Sequence, residues 1–155
     1  MTFIDISAAD SPSSNAPAPD TRNRHRVRDF DDTTAETCQF RGLIDTNYND
    51  GGLNVTLYIT ATSATSGDAE FEVAFERFNT DIDTDSFDTA NAQTATGAVS
   101  TVAAGVPSQV ALSFTNSEID GLTAGDLYRV YVKRTCSVND TVAGDVELHG
   151  ISVYE

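Results

Sequence analysis

The chain has no tryptophan, one methionine, two cysteines and four prolines in 155 residues. It also lacks the long stretches of Leu, Lys, Glu and Ala that favour helix. No run approaches the roughly 20 apolar residues that a membrane helix needs. The N-terminus shows no basic segment followed by an apolar one, so no secretory leader is expected. Gly-x-Ser-x-Gly, His-x-x-x-His and Cys-x-x-Cys are all missing, which removes the nucleophile elbow and the common zinc spacings. Two histidines, His25 and His149, are too few and too scattered for an acid–base constellation. The expectation is a chain that is not an enzyme and carries neither cofactor nor metal.

Basic residues are scarce as well. Nine Lys and Arg stand against 24 Asp and Glu, a formal charge of −15. Such a charge keeps a protein soluble and disfavours nucleic acid and anionic lipid as partners of the whole domain. The basic residues are unevenly placed. Arg22, Arg24, Arg26 and Arg28 alternate in a short stretch, and Arg41 follows. In an extended chain the four alternating arginines point the same way, about 7 Å apart. They are the expected partner-binding residues, suited to an acidic surface or to phosphates.

What is present is β-structure. Thr, Val, Phe and Tyr are frequent, and apolar residues alternate with polar ones. Leu53, Val55, Leu57 and Ile59 alternate with Asn54, Thr56, Tyr58 and Thr60. Phe71, Val73 and Phe75 alternate with glutamates. A Gly-Asp turn at 67–68 separates these runs, and a second at 144–145 separates Leu127–Thr135 from Asp145–Tyr154. Glycine before aspartate suits a tight turn, so two hairpins are expected, 53–60/69–77 and 127–135/145–154. Cys38–Ile44 and Gln109–Thr115 read as further strands, Thr2–Ile6 as a short one, and 79–97 as a loop or weak edge strand. Gly150 marks a bulge between Val146/Leu148 and Ile151/Val153. The expected core includes Leu57, Phe71, Phe75, Leu112, Phe114, Val130 and Leu148.

These strands predict an all-β antiparallel β-sandwich or jelly roll over residues 36–155. Residues 1–35 hold three of the four prolines and the arginine stripe. They read as an extended N-terminal arm without a core of its own. Cys38 and Cys136 could close a long loop or remain thiols, and the sequence leaves both open. Asp81, Asp83 and Asp85 invite a calcium reading. However, Ser86 and Ala92 stand where an EF-hand loop needs Gly and Glu, so a solvated acidic loop is expected.

The order of segments 51–68, 71–77, 83–85, 119–134 and 140–148 resembles a family of small jelly-roll virion proteins of tailed bacteriophages, over roughly residues 40–155. Members of that family usually carry Trp in the strand before the first Gly-Asp turn, where this chain has Tyr58. The resemblance transfers no catalytic residue. It implies a virion structural protein: a capsid decoration or cement protein that stabilises the capsid exterior. Its partners would be the major capsid protein and neighbouring copies in a homotrimer, with no nucleic acid and no membrane. It would be made in the bacterial host cytoplasm and reside on the capsid surface. The alternative is a tail-fibre or appendage protein that binds a host-surface glycan through Tyr58, Tyr128 and Tyr154.

Overall fold

Alternation along the chain becomes ten strands in the computed structural model, which describes residues 1–78 and 86–155. They are β1 (Thr2–Asp5), β2 (Ala18–Arg22), β3 (His25–Phe30), β4 (Thr37–Leu43), β5 (Leu53–Ala61), β6 (Asp68–Arg77), β7 (Gln93–Ala98), β8 (Ser108–Phe114), β9 (Leu127–Arg134) and β10 (Val146–Tyr154). A six-stranded sheet runs β2-β3-β10-β5-β8, with β1 also on β10, and a four-stranded sheet runs β4-β9-β6-β7. Every pairing is antiparallel. The protein is an all-β antiparallel sandwich. No helix among the described residues is long and apolar enough to cross a membrane.

The core lies between the sheets. Val55, Leu57, Ile59, Val110, Leu112, Leu148 and Phe30 come from the larger sheet, and Phe40, Phe71, Val73, Phe75, Val130 and Val132 from the smaller. All seven residues expected in the core are buried. Edge-on aromatic pairs bridge the layers, Phe30 with Phe71 at 5.5 Å and Phe75 with Phe114 at 5.2 Å between centroids. Gly150 provides the expected bulge. Leu148 pairs with Ile59 and Gly150 with Tyr58, so His149 is the extra residue. The bulge flips the inward parity of β10, which lets Ile151 and Val153 join the same core as Val146 and Leu148.

Neither expected hairpin forms. β5 pairs with β10 and β8, whereas β6 pairs with β9 and β7. The segments after β5 and after β9 therefore cross from one sheet to the other. Alternation says only that a strand has one face on a core. A strand across the core satisfies that as well as an in-sheet neighbour does. The two Gly-Asp turns instead meet each other. The Thr141 N–H donates to the Asp68 carbonyl at 2.8 Å, and Thr141 Oγ1 accepts from the Asp68 N–H at 2.9 Å. Gly67 has φ +102°, and a Cβ there would lie 2.6 Å from the Thr141 carbonyl oxygen, so the close approach requires glycine.

Residues 1–35 are not an arm. β1, β2 and β3 are strands of the larger sheet, with β1 and β3 sharing one edge of β10. Ile6, Val27 and Phe30 are buried, so this segment has apolar residues to contribute and backbone groups to pair. Pro19 is tolerated because β2 is an edge strand. The proline-rich stretch between β1 and β2 runs along the edge of β4. Asp10 exchanges backbone hydrogen bonds with Gln39, and the Thr37 N–H donates to the Asn15 carbonyl. This strand addition also shields the β4 edge from pairing with other chains.

Candidate functional site

The arginine stripe folds into a hairpin. β2 and β3 are joined by Asn23 and Arg24, both left-handed at φ 45° and 70°. That geometry is the two-residue turn whose twist suits antiparallel strands, and Asn is one of the residues that accept it. The turn separates the four arginines that an extended chain would align. Arg22 pairs in register with His25, whereas Arg26 pairs with Thr21 and Arg28 with Pro19. Arg22 therefore lies on the opposite face from Arg26 and Arg28. Asn23 carried the turn signal, and the regular arginine spacing obscured it.

Arg22 is consumed internally. It forms an ion pair with the buried Glu147, and its Nη2 donates to the carbonyls of Ala61 and Thr62 at 3.0 Å each. It locks β2 over the end of β5. Arg28 donates one bond, to the Ala9 carbonyl at 3.0 Å. Arg26 is exposed and Arg24 stands at the hairpin tip. Arg26 and Arg28 line a cavity of about 400 Å3 together with Ile6, Ser7, Pro19, Thr21, Val27 and one carboxylate, Asp20, with which neither arginine forms an ion pair.

Pairing elsewhere makes this patch distinct. Arg22, Arg41, Arg77, Arg129, Lys133 and Arg134 each hold a carboxylate. Among the described residues, Arg24, Arg26 and Arg28 are the three Lys or Arg side chains without one. In a chain of charge −15, three unpaired guanidiniums on one hairpin form a localised anion-attracting surface.

A second charged feature lies at the other end of β3. Carboxylate oxygens of Asp31, Asp32 and Asp145 lie within 4.8 Å of one another. Several are already engaged: Asp31 Oδ1 accepts from the backbone of Thr33 and Thr34, and Asp32 Oδ2 accepts from the Gly144 N–H. Nearby, Asp29 Oδ1 is buried without a hydrogen-bond partner among the described residues. Burial, then the charges of Asp145 and Glu147, push the Asp29 carboxyl up to about 6. The Asp81/Asp83/Asp85 stretch lies outside the described residues.

His149 Nε2 is 2.9 Å from Thr60 Oγ1, and that hydroxyl is 2.6 Å from Glu147 Oε2. The trio has the composition of a charge-relay group but not its order. Thr60 is buried, and its hydroxyl donates to the carboxylate instead of presenting to a substrate. Burial lowers the His149 pKa. Both cysteines are free thiols. Cys38 is inside the core, where burial pushes its thiol up to about 12, and Cys136 Sγ faces the Asp31 carbonyl at 3.5 Å.

The tyrosines expected to stack on sugars are not free to do so as a set. Tyr128 is in the core, 2% exposed, because it falls on the inward parity of β9. Tyr58 is half-buried, with Phe3 edge-on at 5.8 Å, and bonds Ser152. The half-buried Tyr154 bonds Thr56.

No protein-family model matches this chain, and no curated protein matches it. Among solved structures, a carbohydrate-binding module, TmCBM61, in complex with beta-1,4-galactotriose is similar at 9% identity and a TM-score of 0.38. The match covers 99% of this chain and 86% of that one.

Proposed function

We propose that this chain is a non-catalytic virion structural protein, a decoration or cement subunit on a bacteriophage capsid exterior. It seats on an acidic surface of the major capsid protein, or of a neighbouring copy in a homotrimer, through Arg24, Arg26 and Arg28. The observation that carries the attachment is the charge pattern. Six basic side chains are paired within the fold, and three on one hairpin are left for a partner. The virion setting and the trimer rest on the resemblance of the turn-and-strand order. In this reading the attachment element is a rigid hairpin and not a flexible arm, so docking requires little ordering. A single exposed charge pair contributes about 0–1 kcal/mol. Three pairs desolvated together, repeated over many copies, add up to stable retention.

The test is rebinding of purified protein to particles stripped of it. Changing Arg24, Arg26 and Arg28 together to Ser should lower the thermal midpoint only by the loss of the Arg28–Ala9 hydrogen bond, which Arg28→Ser alone measures, and lower occupancy by about tenfold at moderate salt, equivalent to about 1.4 kcal/mol. Arg41→Ser, which removes an exposed cation already paired with Asp10, should rebind normally. Undiminished occupancy of the triple variant rejects the proposal.

A further inference from the structure

The outer face of the smaller sheet carries a groove that the attachment reading does not use. Strand register builds it. Thr37, Lys133 and Glu72 form one cross-strand row, and Gln39, Tyr131 and Ala74 the next. The segment ending at Asn15 makes one wall, tied down by the Thr37–Asn15 and Gln39–Asp10 backbone hydrogen bonds. Phe87 makes the other wall. Its ring stands edge-on to Tyr131 at 5.0 Å, with the Arg129 guanidinium 4.5 Å from its centroid on β9. The space between is about 590 Å3, within the range of small-ligand sites.

From this groove we infer a binding site for a neutral saccharide of a few units. Three features select that chemistry. First, charge is cancelled locally. Glu72 Oε1 accepts from Lys133 Nζ at 3.3 Å and from the Tyr131 hydroxyl at 2.5 Å, so the site holds no uncompensated cation for an acid and no free carboxylate pair for a base. Second, the side chains of Asn15, Thr37 and Gln39 make no hydrogen bond among the described residues, and Glu72 Oε2 accepts none. Amides and hydroxyls both donate and accept, which matches the hydroxyl rim of a sugar ring. Third, the half-buried Phe87, backed by the buried Tyr131 and carrying the Arg129 guanidinium over its ring, supplies a short apolar wall for the C–H face of such a ring. An extended peptide would instead seek free backbone groups, and the strand-edge groups of Thr37 and Gln39 are already taken by Asn15 and Asp10.

The site is independent of the arginine hairpin, so its test separates the two. Calorimetric titration with neutral glucose-, mannose- and galactose-based trisaccharides is expected to give saturable binding to at least one of them, with Kd at or below about 1 mM. Gln39→Ala should weaken that binding by about fivefold or more, and Thr37→Lys, which projects a long side chain into the groove, should abolish it. Both variants should melt close to the parent. Arg26→Ser should bind the sugar as the parent does. Absence of binding across the panel overturns the inference, as does binding that Thr37→Lys leaves unchanged.

Discussion

Arg134 and Asp140 form a two-pronged ion pair inside the protein, with Nε–Oδ2 and Nη2–Oδ1 both at 2.8 Å and both side chains buried. The remaining donors of Arg134 reach the carbonyls of Phe30, Val142 and Gly144. One guanidinium thus joins the end of β3, the end of β9 and the connection that crosses to β10. Asp140→Asn leaves a buried charge with its strongest acceptor neutralised and should cost about 3–5 kcal/mol. Replacing both residues with apolar ones of similar size should cost less than that single change. Urea denaturation of the two variants measures the difference, and equal losses would show that the pairing itself matters little.

Acidity near β3 sets a pH dependence. Burial and neighbouring carboxylates hold the Asp29 carboxyl at about 6 in the folded protein, against about 3.9 in an unfolded chain. Between those values the folded state keeps a proton that the unfolded state has lost, so stability falls as pH rises through the window. Glu36 is shifted up too, by burial and then by Asp31 and Asp145. Asp126 and Glu70 are shifted down by their hydrogen bonds against a burial penalty, and their contribution is lost only in stronger acid. His149, whose pKa burial lowers, acts in the opposite sense below about pH 6.5. The Asp29 contribution is therefore read by comparing the parent with Asp29→Asn: between pH 5 and pH 7 the parent should lose more, or gain less, thermal stability than the variant. Asp29→Asn should also raise the midpoint near pH 7. An identical change in both proteins would exclude this residue as the cause.

The N-terminal strands make a sharp contrast between an arm and a structural element. Phe30 is fully buried and packs edge-on against Phe71, so Phe30→Ala should cost about 3–5 kcal/mol. Removing residues 1–35 strips three strands from the larger sheet and exposes one edge of β10. Circular dichroism of the truncated chain should show loss of cooperative melting. A truncated chain that melts cooperatively at the parent temperature would restore the arm.

Much of the local structure was legible in the residues. The alternation at 53–59, 71–75 and 110–114 named both the strands and their inward faces, because a side-chain period of two has only one arrangement that buries the apolar set. Gly150 announced its bulge by separating two apolar pairs of opposite parity. Phe87 is a lone large apolar residue within a polar stretch, and it packs onto Tyr131.

Strand partners were not legible. Leu57 faces the core whether β6 lies beside β5 or across from it, and only the closing of two layers decided that β5 joins β10 while β6 joins β9. The fate of each arginine was equally hidden. Arg22 and Arg26 are four residues apart and alike in sequence, yet one turn at Asn23–Arg24 sends the first to Glu147 and leaves the second facing solvent. Tyr128 and Tyr131 differ in the same way. An offset of three residues on a strand puts one ring in the core and the other against the groove. Sequence by itself determined strands β4, β5, β6, β8, β9 and β10 and their apolar faces, since those follow from local period and composition, whereas β2 and β3 lay hidden in a stretch that reads as an arm. Pairing across sheets, and therefore which charges remain free and where a groove opens, came from long-range packing, which no local pattern encodes.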